Sequence, residues 1–345
     1  MVTVADVVDR VAAETGFSGV VRLDRGGAGG APELERAYGL ADRSRGIPMT
    51  TDAQVAIASG TKGFTALAVM SLVTDGTLEL ATTARSLLGD DLPLVAGDVT
   101  VEHLLAHTSG IGDYLAEEDE EGVDQPIGAY VLPVPVHRLA AAEDYLAILD
   151  GFPTVFPAGE RFAYNNGGYV VLAVLAERAS GVPYHDLVGQ RVLEPAGLAE
   201  TSFPRSDSLP PRAALGYVEV DGVERCNVLH LPVRGVGDGG LYSTLGDVHR
   251  FWTALYHGRI VPRETVAEMT RPRGRTPDGR RYGLGFWLDP TGPEVVLEGY
   301  DAGVSFRTRY DPVTTTTWTV AGNTSDGAWP VARALAEHLA AEPRG

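Results

Sequence analysis

The chain has 345 residues, 44% of them hydrophobic and 21% charged, the proportions of a folded protein with a sizeable core in one large domain or two interlocked ones. Its formal net charge of -18 at pH 7 argues against nucleic acid or an anionic membrane as a partner, because both would repel such a surface.

Met1 to Arg10 reads as an amphipathic helix with acidic residues. It lacks the basic start, apolar run and small-residue cleavage site of a secretory signal. No apolar stretch of about 18 residues is present to span a bilayer, so the expected location is cytoplasmic. A first helix is predicted over 5–15, then strands over 18–23 and 37–40 separated by a Gly-rich turn at 26–30. Residues 54–58 form a short apolar approach to Ser59, and 63–72 is apolar on nearly every side, which predicts a buried helix. Helices are expected over 101–107, 143–149 and 167–180, the last ending at Gly181. Between them 113–137 passes from an acidic run, Glu117 to Glu121, into Pro- and Val-rich sequence, a solvated loop long enough to form a lid over a cleft. Cys226, the single cysteine, excludes an intrachain disulfide framework and a cysteine-rich metal site, and is expected as a small buried apolar residue. Successive antiparallel strands are predicted over 282–288, 295–297, 304–310 and 314–321, with a closing helix over 326–341. Strands at both chain ends with helices between them point to one α/β layer made from both termini, with a helical region inserted.

Ser59-Gly60-Thr61-Lys62 is the central chemical signal. On a helix starting at Ser59, positions i and i+3 share a face, so the amine reaches the hydroxyl. The helix N-terminus also aims free N–H groups and the positive dipole end at developing negative charge. Serine alone is a weak nucleophile and needs an adjacent base. Lys62 is the only lysine in the chain; every other residue among the 28 Lys and Arg is arginine. Arginine does not release its proton in a protein, whereas a desolvated lysine acts as a base near neutral pH. Tyr164-Asn165-Asn166 is the second signal. A phenol beside an ammonium is acidified and can shuttle protons, and Asn166 can donate to a substrate carbonyl. Alternatively the segment is a turn in which Asn caps the 167–180 helix.

Ile57 to Ala66 resembles the nucleophile motif of class C β-lactamases, D-alanyl-D-alanine carboxypeptidases and related esterases. His103 to Gly110, the Tyr164 segment and Gly239 to Thr244 resemble three further stretches of that family, in the same order over roughly 15–340. The resemblance implies an α+β, β-lactamase/transpeptidase-like fold: an antiparallel sheet flanked by helices, built from both chain ends, with an inserted all-helical domain. The α/β domain would comprise 1–65 and 235–345, the helical domain 66–234, and the active site would lie between them. It further implies acylation of Ser59, general acid and base duties shared by Lys62 and Tyr164, and an oxyanion hole from the Ser59 and Tyr300 N–H groups. The family's third motif, usually Lys-Thr-Gly or His-x-Gly, aligns with Leu297-Glu298-Gly299. Leucine then stands where a cation normally receives a substrate carboxylate, Glu298 adds negative charge if it faces the cleft, and Gly299 lets a strand edge approach the substrate. Free-carboxylate substrates are expected to be poor ones.

His103 and His107 stand four apart, a spacing that can seat zinc, but Leu104 occupies the place of the metalloprotease glutamate, so a structural role is expected. Neither metal nor cofactor is called for. The leading expectation is a serine hydrolase acting on a small-molecule ester, amide or peptide through acyl-Ser59. A transacylase of specialised metabolism shares every catalytic residue, and a non-catalytic binding or sensing protein on the same fold is the third reading; β-lactam resistance comes last. Oligomeric state is not legible.

Overall fold

The computed structural model describes residues 2–26, 30–115 and 131–342, so most of the lid expected over 113–137 lies outside the described residues. Helix α1 (Val4–Thr15) starts where Thr3 and Asp6 exchange side-chain and backbone hydrogen bonds, and stops at Gly16 with φ +64°, a left-handed cap that favours glycine. Strands β1 (Gly19–Asp24) and β2 (Leu34–Tyr38) follow, then helices α2 (Thr61–Thr74), α3 (Val101–Leu105), α4 (Asn166–Ser180) and α5 (Leu245–Tyr256). The chain closes with strands β3 (Gly274–Arg275), β4 (Arg281–Tyr282), β5 (Trp287–Leu288), β6 (Val295–Asp301), β7 (Val304–Asp311) and β8 (Thr316–Gly322), and helix α6 (Ala328–Ala341).

These eight strands form one antiparallel sheet in the order β2-β1-β8-β7-β6-β5-β4-β3. β1 pairs with β8, Val20 opposite Ala321, so strands from the two chain ends lie side by side, second and third from one edge of the sheet. The period-2 alternation of β1 sends Val21 and Leu23 to one face, where they pack with Val4 and Val8 of α1 and Val331 and Leu335 of α6. Val20 joins the larger core on the other face, which takes in Leu297, Phe306 and the apolar residues of α2, α4 and α5. Helix α2 is buried continuously from Thr61 to Leu72, which is why its sequence is apolar all round.

Several boundaries differ from expectation. The 37–40 strand is broken at Gly39, φ +71°, dividing β2 from a short strand at Leu40–Asp42. The 282–288 strand is two strands, β4 and β5, folded around Gly283 to Gly285. Gly285 has φ +91°, and a Cβ there would lie 2.3 Å from the Ala66 Cβ, so alternation in the sequence hides a tight turn seated on α2. The 143–149 helix is a 3₁₀ turn, Ala142–Tyr145, running into a single α turn, Leu146–Leu149. Cys226 is exposed, because the hairpin Tyr217–Val220 and Val223–Cys226 turns its second strand wholly to solvent.

Candidate active site

Ser59 sits in a 3₁₀ turn, Ala58–Gly60, that leads into α2 at Thr61, two residues later than a helix starting at the serine itself. The approach strand Val55–Ala56 pairs with Tyr242–Ser243, and Ile57 N–H donates to Leu241 O at 3.0 Å. Ala58 then takes φ +43°, a left-handed value that costs a non-glycine residue on the order of 1 kcal/mol and marks a turn fixed by its surroundings. Gly299 of β6 lies against this turn. A Cβ on it would stand 2.1 Å from Ile57 O and 2.9 Å from Ser59 N, so the strand approaches the serine only because the residue is glycine.

Lys62 is 1% exposed. Its Nζ lies 2.8 Å from Ser59 Oγ, 2.8 Å from Asn166 Oδ1 and 3.0 Å from Asp238 O, three acceptors for the three protons of an ammonium. The same Nζ is 4.9 Å from the centre of the Tyr164 ring and 5.8 Å from that of Tyr169. The Tyr164 ring lies nearly parallel to Trp287 at 6.0 Å and 4.4 Å from the His107 ring. Thus Ser59, Lys62, Tyr164 and Asn166, 107 positions apart at the extremes, converge on one point.

Helix α4 supplies Asn166. Asn165 is its N-cap, accepting from Gly168 N–H at 2.6 Å, and Asp113 accepts from Asn166 N–H at 2.7 Å and Gly167 N–H at 2.8 Å. Burial raises the Asp113 carboxyl to about 6, against the lowering effect of those two bonds and of Lys62. The Asn166 side chain is committed at both ends, Oδ1 to Lys62 and Nδ2 to Leu115 O at 2.9 Å. Its first task here is to hold Lys62.

The two histidines have structural partners. His103 Nδ1 accepts from Thr100 N–H while Thr100 Oγ1 accepts from His103 N–H, a capping box. His107 Nδ1 accepts from Asn165 N–H at 3.1 Å, which assigns its proton to Nε2. Burial and the Lys62 charge hold its imidazole neutral, well below the usual pKa. Among the described residues no three His, Cys, Asp or Glu side chains cluster as metal ligands.

A cavity opens on one side of Ser59, lined among others by Tyr114, Tyr145, Asn166, Asp238, Tyr300 and Asp301. Leu297 and Glu298 do not line it, which corrects the cleft-facing placement expected for both. Leu297 is 3% exposed and packs down onto α2, its Cδ2 only 2.7 Å from where a Gly63 Cβ would be. Glu298, one position on, points to the opposite face of β6 and is ion-paired to Arg280 and Arg307, so its charge is spent there. Tyr300 stands on the rim, 41% exposed. Sequence reasoning missed Asp113, Tyr114 and Asp238. The Tyr114 hydroxyl donates to Asp238 Oδ2 at 2.5 Å, and the Asp238 carboxyl is raised by burial against the lowering effects of Lys62 and Tyr114. Asp238 alone left a trace, an acid set between glycines in Gly237-Asp238-Gly239-Gly240.

A serine at the head of a fully buried helix, with a lysine one turn on and an antiparallel sheet edge against it, is the framework of the penicillin-recognising serine proteins. The family model described as Beta-lactamase matches residues 4–342, and the chain belongs to that family. It is 31% identical over 286 residues to penicillin-binding protein 4* of Bacillus subtilis, covering 77% of this chain and 59% of that one. It is 31% identical over 269 residues to esterase EstB of Burkholderia gladioli, covering 68% of this chain and 65% of that one. The chain therefore spans about three fifths of the length of these curated relatives. The crystal structure of a penicillin-binding protein from Bacillus halodurans superimposes with a TM-score of 0.88 at 32% identity, over 96% of this chain and 99% of that one.

Proposed function

We propose that the protein is a serine hydrolase that cleaves esters or amides through an acyl-Ser59 intermediate. The observation that carries this reading is the 2.8 Å contact between Lys62 Nζ and Ser59 Oγ, made by the only lysine in the chain, buried to 1% exposure. Ser59 Oγ attacks the substrate carbonyl while its proton passes to the Lys62 and Tyr164 pair. The same pair returns a proton to the leaving alcohol or amine as the bond to it breaks. Water then attacks the acyl-enzyme and restores Ser59. The closeness of Gly299 to Ser59 N supports the Ser59 and Tyr300 N–H groups as the oxyanion hole. The similarity to an esterase and to a penicillin-binding protein supports acyl transfer as the chemistry.

Substrates lacking a free carboxylate at the usual site suit this cleft best. A carboxylate entering it loses water and needs a cation, and no lysine or arginine is among the cavity-lining residues described. The test is intact-mass labelling with a phosphonate probe. One adduct is expected on the wild type and none on Ser59→Ala; equal labelling of the variant would overturn the assignment.

A further inference from the structure

His107 has a wider hold on the site than a packing residue needs. It stands just past α3, 1% exposed, with φ +56°, a left-handed backbone that histidine and asparagine tolerate better than most side chains. Its carbonyl accepts from Ala163 N–H at 2.8 Å, and its Nδ1 accepts from Asn165 N–H at 3.1 Å. One residue thus grips the chain on both sides of Tyr164. Hydrogen bonds at both flanking N–H groups fix the backbone there, and with it the direction of the Tyr164 side chain.

The imidazole completes the grip. Its ring centre lies 4.4 Å from that of the Tyr164 phenol, with 34° between the planes, and so restricts the broad rotation of a tyrosine ring about its Cβ–Cγ bond. The rings of Phe162, Tyr169 and Tyr282 pack about it too, at centre distances of 5.8, 4.9 and 4.7 Å. Its Nε2 finds no hydrogen-bond partner among the described residues, which is costly for a buried N–H. An apolar side chain would fill this aromatic box without that cost, but would leave Asn165 N–H unanswered. What the imidazole adds is Nδ1, an acceptor only in the neutral ring, which burial and the Lys62 charge maintain.

We propose that His107 is the positioning residue that sets the Tyr164 phenol against Lys62. The inference rests on the hydrolase reading above, in which Tyr164 and Lys62 share a proton, and it names what holds that pair in register. Lys62 Nζ lies 4.9 Å from the centre of the Tyr164 ring, and a misplacement of about 1 Å in such an arrangement costs about a hundredfold in rate. His107 acts through Tyr164 and moves no proton itself.

The test is a double-mutant cycle on the hydrolysis of p-nitrophenyl acetate. Asparagine and leucine share a branched shape, and Oδ1 of asparagine stands on Cγ as Nδ1 of histidine does, so His107→Asn and His107→Leu differ chiefly in the acceptor. His107→Leu should lower kcat about tenfold or more with KM little changed, and His107→Asn should recover most of that loss. In a Tyr164→Phe background, itself slower than the wild type, His107→Leu should cost nothing further. A loss of the same factor in both backgrounds overturns the proposal, since His107 would then serve the fold and not the phenol. So do equal kcat values for His107→Asn and His107→Leu, wild-type kcat in His107→Leu, or wild-type kcat in Tyr164→Phe. Leu92 holds φ +49° in this same chain, so the left-handed backbone does not bar leucine. Should His107→Leu still not fold, His107→Gln, whose amide sits one carbon further out, takes its place in the cycle with the same expectations. Labelling of Ser59 together with equal losses in both backgrounds sinks this inference alone; no turnover and no labelling of Ser59 in the wild type sinks the hydrolase reading and this inference with it.

Discussion

Lys62 is the residue on which the proposed chemistry turns, and its surroundings say what a substitution would do. Its three acceptors lie at 2.8, 2.8 and 3.0 Å in a fully packed environment, a tripod matched to a compact ammonium and not to a planar guanidinium. Lys62→Arg keeps the charge and loses the removable proton, so turnover should fall about 100-fold or more, the scale of a lost general base. Circular dichroism would confirm that the variant folds, and near-wild-type turnover would show the amine to be dispensable. This pair was legible in the sequence because its geometry is local, three positions along one turn. Asp238 and Tyr114 were not, because their hydrogen bond joins positions 124 apart. Leu297 and Glu298 show a readable fact left unread. Adjacent residues of a strand face opposite ways, so the two could not both have faced the cleft, and in β6 neither does.

At the scale of elements, the N-terminus of α4 and the edge of β6 aim the site. Asp113 holds the first two N–H groups of α4, and through them the Asn166 that grips Lys62. Its carboxyl rises from an ordinary 3.8 to about 6 in the folded protein, so between those values the folded state binds a proton that the unfolded state has released. Its contribution to stability is therefore fully present below about pH 4 and is lost as pH rises through about 6. Asp113→Asn removes this dependence. The difference between wild type and variant in urea-unfolding free energy should change by up to about 3 kcal/mol between pH 4 and 7; a difference that stays constant with pH would exclude the assignment. Gly299 is the second such point. Gly299→Ala places a methyl group 2.1 Å from Ile57 O, a backbone atom that cannot swing aside, so overpacking should cost about 1–3 kcal/mol. Acylation of Ser59 by a phosphonate should slow with it, as stopped-flow labelling would show, whereas an unchanged rate would mean that β6 does not shape the oxyanion side. The buried helix α2 was visible from its unbroken apolar run. The breaks at Gly39 and Gly283 to Gly285 were hidden, because tight glycine turns inside apolar alternation look like continuous strand.

Across the whole molecule, the sheet joins residues near both chain ends and holds the Ser59 turn against β6, while the charge sets which molecules reach it. Arginines are largely tied to surface carboxylates, as Arg178 is to Asp91 and Glu143, and exposed pairs of this kind add little stability. They leave the excess of -18 uncompensated, so a negative field surrounds the cleft and repels anions before any contact forms. Such a field is screened over about 10 Å at 0.1 M salt. For a substrate bearing a free carboxylate, kcat/KM should therefore start low and rise several-fold as ionic strength goes from about 10 mM to about 500 mM, as repulsion is screened. Its neutral methyl ester should show almost no salt dependence over the same range, since it meets no long-range force. The paired measurement separates the two sources of discrimination: the part that salt removes belongs to the field, and the part that survives belongs to the cleft, where no lysine or arginine is among the lining residues described. Equal, salt-independent use of acid and ester would contradict both, and would require a cation that reaches the bound carboxylate.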